Sequence, residues 1–284
     1  VTHRGAVGVL VGCAVIWGIG FPLNKMVLGT VTPMLFLAAR FGPAAVALSP
    51  TWRTTPRETW LAGAALGSVF AVQLALFAAG LVSIPPARSA FLFSVQTPLV
   101  PLLLVAWTRH LPAGRSVVRV VVALVGSWLL TKPAGAAVGL TIGDGLTLLS
   151  AALAAAYIIA AGHLGRRHDP WRLLAVQFVM MALFGLLVSP LVETGRFEPT
   201  ALTAGLIVVL AGFSILTFGG QLIGQRLVRP TEAALIFAIE PVAAAAMSYL
   251  VYGETFGILQ WLGGAMIIGA ALIRPSPAEG ASTA

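Results

Sequence analysis

A glutamate followed by a proline, Glu240-Pro241, stands in the middle of an apolar stretch, and Lys25, Arg40 and Arg88 stand inside three others. Ionisable groups in such stretches are costly, so each must be paired, protonated, wetted by a cavity or able to reach the interface. Glu240 lies about ten residues into its stretch, roughly 15 Å of helix rise and near a bilayer midplane. It suits a structural hydrogen bond between helices as well as substrate or proton binding. Arg40 lies about seven residues, some 10 Å, from the start of its stretch and reads as an anchor between helices. Lys25 and Arg88 lie nearer stretch ends, where long side chains snorkel to water. Asn24, Gln73, Gln96, Tyr157, His163, Gln221 and Gln225 are the uncharged or weakly titrating groups in these stretches. An unpaired buried amide is costly, so some of these must face water, a solute or one another. Trp17, Phe21, Phe77, Phe91, Phe93, Tyr157, Phe213, Phe218 and Phe237 offer aromatic surface for an apolar body. Trp17 falls mid-stretch, whereas Trp60, Trp107 and Trp171 fall at stretch ends as interface anchors.

This inventory suits recognition better than bond-breaking. The chain has no HExxH helix, no phosphate-binding Gly-Lys loop, no aspartate pair within a stretch and no Cys/His cluster. Its single cysteine, Cys13, lies in the first apolar stretch and reads as packing, which leaves no disulfide framework or thiolate metal site. No catalytic residue, no cofactor and no metal is expected. His163 lies near a stretch end, and no chain of titratable groups crosses the sequence, so proton coupling and facilitated diffusion both stay open.

The elements that must position these residues follow from composition. Of 284 residues, 58% are apolar and 9% charged, too few charges to solvate the surface of a soluble fold of this size. Ten spans fit the apolar runs, at roughly 6–28, 33–50, 60–81, 86–107, 114–131, 143–164, 171–190, 201–225, 230–251 and 257–273, each near the length needed to cross hydrocarbon. The first run is longer than a signal-peptide core and is read as a retained span. With the N-terminus cytoplasmic, the inside segments collect Arg4, Arg53, Arg57, Arg109, Arg115, Arg119, Arg166, Arg167, Arg172, Arg226, Arg229 and Arg274, and the outside segments only Lys132 and Arg196. That bias places both termini in the cytoplasm and explains the +8 charge without nucleic acid.

A shift of 143 residues superposes Ala90 on Ala233, Leu92 on Leu235, Pro98 on Pro241 and Gly126 on Gly269. A shift of 137 superposes Pro33 on Pro170, Leu37 on Leu174, Ala38 on Ala175 and Phe41 on Phe178. Two copies of five spans, an odd number, must enter the membrane in opposite senses. Inverted duplication of this kind is typical of alternating-access carriers, with the substrate near the midplane between the halves. A channel would instead want oligomeric symmetry or a ring of like polar groups. Gly8 with Gly12, Gly63 with Gly67 and Gly220 with Gly224 have the four-residue spacing of tight helix packing.

Trp17, Gly18, Phe21 and Lys25, followed by Pro33, Arg40 and Phe41, resemble the opening of the drug/metabolite transporter superfamily, specifically its EamA-like family. Glu240-Pro241, Gly253-Glu254, Gly263-Gly264 and Gly269 resemble the end of that family's second repeat. The similarity covers nearly the whole chain. It implies a ten-helix carrier of two inverted five-helix repeats, commonly an exporter of amino acids or other metabolites, and most like the aromatic and neutral amino-acid exporters. Thr97 stands where the second half has Glu240, and Leu111 where it has Glu254, so a charge-coupling role is not duplicated.

The reading is an all-α polytopic membrane protein of ten transmembrane helices in two inverted-topology repeats, residues 1–135 and 136–274, with a polar cytoplasmic tail at 275–284. It is expected in the bacterial cytoplasmic (inner) membrane as a secondary carrier exporting neutral and aromatic amino acids, with cationic drugs or other metabolites as the alternative cargo. Its partners are a small-molecule substrate and the lipid bilayer, with no nucleic acid, and it acts as a monomer. Trp17, Phe21, Asn24, Gln73, Phe77, Gln96, Tyr157, Phe218, Gln221 and Glu240 are expected to form the translocation site. Lys25, Arg40, Pro22, Pro98, Pro101 and Pro241 are expected in structural or gating roles.

Overall fold

A computed structural model describes residues 2–109, 114–131, 140–253 and 257–273. Leu111, Lys132, Glu254, Arg274 and the tail expected at 275–284 lie outside these. In hydrocarbon a chain must satisfy its own backbone hydrogen bonds, and uninterrupted apolar runs do so as helix. The described residues form α1 (His3–Leu28), α2 (Pro33–Ala47), α3 (Arg57–Ser83), α4 (Pro86–Phe93), α5 (Gln96–Thr108), α6 (Gly114–Thr131), α7 (Ile142–Arg167), α8 (Pro170–Val192), α9 (Ala201–Gly224), α10 (Pro230–Phe237), α11 (Glu240–Tyr252) and α12 (Ile258–Leu272), with one 3-10 turn at Ser49–Thr54. Among the described residues, seven apolar segments are long enough to cross a membrane: α1, α3, Arg88–Ala106, α7, α8, α9 and Pro230–Val251. Pro33–Ala47, Val117–Leu130 and Ile258–Leu272 are shorter apolar helices. The protein is a multi-pass membrane protein.

Two of the crossing segments are broken in the middle, and the cause is local. Pro98 has no N–H for the carbonyl four residues earlier, at Ser94. That carbonyl instead accepts from Thr97 N at 2.9 Å, and α4 gives way to α5 at Ser94–Val95. Pro241 does the same to Phe237, and α10 gives way to α11 at Ala238–Ile239. The breaks are 144 residues apart, one more than the 143-residue shift that superposes the two prolines. By contrast α1 and α5 continue through Pro22 and Pro101.

Helix pairing relies on small residues. α2 packs on α8, α6 on α12, α3 on α7 and α8, and α1 between α9 and α11. A Cβ on Gly18 would lie 2.5 Å from the Glu240 carbonyl oxygen, and one on Gly263 2.5 Å from that of Gly126. Gly63 and Gly67 likewise seat α3 against Val176 and Gln177 of α8, and Gly220 and Gly224 seat α9 against Cys13 and Leu10 of α1. Gly8 and Gly12 do not follow the expectation of tight packing: nothing lies within 4 Å of the position of their missing Cβ atoms, because that face of α1 has no neighbouring helix.

Charged residues tie helix ends. The Lys25 ammonium donates to the carbonyls of Leu81 and Val82, both at 2.6 Å, and of Ile84 at 3.2 Å, closing the last turn of α3 from a half-buried position. Glu193, after α8, accepts from Thr32 Oγ1 at 2.7 Å and from the N–H groups of Met34 and Leu35 at 3.1 Å, placing a carboxylate at the positive end of α2. Arg119 is not a loop cation as the charge pattern suggested; it is buried in α6 and donates from Nε to the Ala270 carbonyl at 3.1 Å.

Arg88 is likewise not a snorkelling side chain. It forms a bidentate pair with the fully buried Asp144, Nε to Oδ1 at 2.7 Å and Nη2 to Oδ2 at 2.7 Å. Asp144 also closes a capping box with Thr141 at the start of α7, so the pair pins α4 to α7. Breaking one side of a buried pair strands the other charge, at about 3–5 kcal/mol, while removing both is far milder. Arg88→Met is therefore expected to lower thermal stability in detergent markedly, and Arg88→Met with Asp144→Asn to recover most of the loss. Gly263→Val is expected to lower the melting temperature by several degrees through overpacking of about 1–3 kcal/mol, whereas Gly8→Ala leaves it unchanged.

Candidate functional site

Six of the seven crossing segments, all but α8, and the shorter helix α2 converge on a cavity of about 700 Å³, counted with its opening. α1 contributes Ile16, Trp17, Gly20, Phe21 and Asn24; α2 contributes Arg40; α3 contributes Phe70, Gln73, Leu74 and Phe77. Phe93 and Gln96 come from either side of the α4/α5 break, and Phe237 and Glu240 from either side of the α10/α11 break. Ala154, Tyr157 and Ile158 come from α7, and Leu210, Phe213, Phe218 and Gln221 from α9.

The wall is mainly apolar and its aromatic rings hold one another. Trp17 meets Phe218 at 5.3 Å and Phe237 at 5.0 Å between ring centroids, and Phe70 stacks on Tyr157 at 4.3 Å and meets Phe218 edge-on at 4.5 Å. Phe21, Phe77 and Phe93 form a second group with centroids 5.1 to 6.2 Å apart. Edge-on and offset contacts of this kind fix ring positions, which makes the apolar surface preformed.

The polar groups are few and separately held. The Gln96 side chain stands beside the Glu240 carboxyl group, and Thr97 Oγ1 donates to the Ala234 carbonyl at 3.2 Å, so the two helix breaks face each other. Gln73 Nε2 donates to Ser150 Oγ at 2.8 Å. Tyr157 donates its hydroxyl to Oε1 of Gln177, a residue outside the wall, at 2.8 Å. Arg40 donates from Nε to Ser214 Oγ at 2.7 Å and from Nη1 to Asn24 Oδ1 at 3.2 Å. Arg40 and Glu240 do not pair. Trp17 Nε1 and Gln221 Oε1 are buried without a hydrogen-bond partner. An unmet buried donor and an unmet acceptor cost about 1–3 kcal/mol each, so a solute or water that satisfies both is favoured here.

All ten residues expected in a translocation site stand in this one wall, and Arg40, expected as an anchor, stands there too. Lys25, Pro22, Pro98, Pro101 and Pro241 do not line it. Of the other polar and aromatic residues singled out, Phe91 is not in the wall, His163 is exposed, and Gln225 donates elsewhere, to the Ile158 carbonyl at 3.0 Å. Sequence reasoning missed Phe70, Ile16, Leu74, Ile158 and Leu210, which are apolar residues in apolar helices and give no local signal. No group of three His, Cys, Asp or Glu side chains suited to a metal occurs among the described residues.

The profile of the EamA-like transporter family matches residues 4–132 and again 141–274. The chain belongs to the EamA-like transporter family. An uncharacterised transporter of Archaeoglobus fulgidus is 26% identical to this EamA-like protein over 274 residues, 92% of this chain and 82% of the relative. A second uncharacterised transporter of that organism is 28% identical over 151 residues, 53% of each chain. A protein of known crystal structure has the same fold, with a TM-score of 0.77 at 18% identity, covering 95% of this chain and 96% of the other.

Proposed function

We propose that this EamA-like transporter is a secondary carrier that exports small amphiphilic organic solutes, foremost neutral and aromatic amino acids, by alternating access between two inverted five-helix halves. The observation that carries this reading is the central cavity, whose wall is drawn from both halves of the chain, residues 1–135 and 136–274. Aromatic faces suit an apolar side chain, and the isolated amides, Arg40 and Glu240 suit a small polar head. Inverted halves are supported by the matching helix breaks and by the pairing of α2 with α8 and of α6 with α12, which the duplication makes equivalent partners. The backbone at the breaks is where the halves bend as the cavity changes side.

A bacterial inner-membrane location with both termini cytoplasmic is supported by the basic residues. Twelve less Arg119 leaves eleven on the cytoplasmic side of the ten-span frame against Lys132 and Arg196. Glu240 favours cationic amphiphiles as a second cargo, but Arg40 in the same wall opposes them.

In proteoliposomes holding only this protein, labelled neutral and aromatic amino acids are expected to show accelerated, saturable counterflow and to emerge chemically unchanged. Trp17→Ala and Gln96→Leu are expected to lower that rate about tenfold, the loss of one well-made buried contact each. Folded protein that moves none of these solutes overturns the cargo, and variants with unaltered rate and range overturn the path.

A further inference from the structure

We propose that Arg40 is the seat for a solute carboxylate, so that the cavity takes organic acids and zwitterions with an aromatic body and discriminates against the matching neutral amides and amines. This rests on the reading of the cavity as the solute site and names the head group that the site selects.

Arg40 is 6% exposed and lies in the wall of both the main cavity and a smaller adjoining one of about 250 Å³. A guanidinium has five N–H donors and no acceptor. Two are used, on Ser214 Oγ and Asn24 Oδ1, and neither partner is charged. Nη2 has no hydrogen-bond partner among the described residues, and no carboxylate there forms an ion pair with Arg40. The carbon of the guanidinium stands 5.2 Å from the Phe41 ring centroid and 5.9 Å from that of Phe36, which steadies the cation without neutralising it.

The protein shows elsewhere what a bracing arginine looks like. Arg88 meets both oxygens of Asp144 in a closed fork. Arg40, on α2, has Nε and Nη1 tied to two further helices, through Ser214 of α9 and Asn24 of α1, and its outer nitrogen Nη2 left over. A buried cation without a counter-ion is held at a cost of several kcal/mol, and an entering carboxylate relieves it through the planar fork that guanidinium matches best.

Glu240 does not serve as that counter-ion. It forms no ion pair with Arg40, and its backbone packs at the level of Gly18, six residues before Asn24 and about 9 Å of helix rise away. Between those levels lie Phe21 and Phe77, whose edge-on rings flank the space beside Asn24 and give an aromatic body its place.

The test is binding of three probes sharing a phenyl ring and a three-carbon chain to purified full-length protein in detergent at neutral pH, by calorimetry: 3-phenylpropionate, 3-phenylpropanamide and 3-phenylpropylamine. The acid is expected to bind about tenfold or more tighter than the amide and the amine, as a charge-assisted pair requires. Arg40→Gln is expected to erase that preference and Arg40→Lys to keep part of it. If the amide binds wild-type protein as well as the acid does, the assignment of Arg40 is overturned while the cavity reading stands. If folded wild-type protein binds none of the three, the cavity reading falls and this assignment with it. The wild-type series decides the matter even where Arg40→Gln fails to fold.

Discussion

Hydrocarbon supplies no hydrogen bonds, and most of this architecture follows from that constraint. A helix that crosses it can afford a free carbonyl only where protein or a wet cavity receives it. Pro98 and Pro241 each free one in mid-membrane, and both breaks turn toward the same central space, with Gln96 and Thr97 of one reaching Glu240 and Ala234 of the other. The irregular backbone is thus confined to the place where a solute site needs polar groups at depth.

The same constraint sorts the buried charges into two kinds. Arg88 and Asp144 satisfy each other and pin α4 to α7, and Lys25 is consumed by the carbonyls that end α3. Arg40 is held by neutral partners, Glu240 stands beside Gln96, and both stay in the cavity wall. The first kind holds helices together and the second offers charge to a visitor, and arginine, which occurs in both, shows that geometry and not residue type makes the distinction. The close helix contacts at Gly18, Gly67 and Gly263 provide the rigid frame against which such groups keep their positions.

Much of this was legible in residue types because the membrane makes polarity expensive. A mid-span amide or tryptophan stands out against an apolar background, so Trp17, Asn24, Gln73, Gln96 and Gln221 were visible as a set before any fold was in hand. Phe70 and Leu210 were invisible in the same stretches, since an apolar residue facing lipid and one facing a cavity obey the same local rule. Asp144 was overlooked because a residue three positions into a helix reads as a cap, which it is, and nothing in the spacing joins it to Arg88, 56 residues earlier.

By itself the sequence determined the membrane class, the apolar helices and the family, because hydrophobicity, proline chemistry and motif order act locally or along the chain. The tertiary structure alone decided which polar residues meet. It placed Arg88 on Asp144, kept Arg40 apart from Glu240, left the Cβ positions of Gly8 and Gly12 without a described neighbour, and gathered groups from six crossing segments and α2 into one wall. The physical reason is that a helix fixes what lies three or four residues away, whereas the partner across a helix interface depends on the rotation and depth of another helix that no local rule encodes.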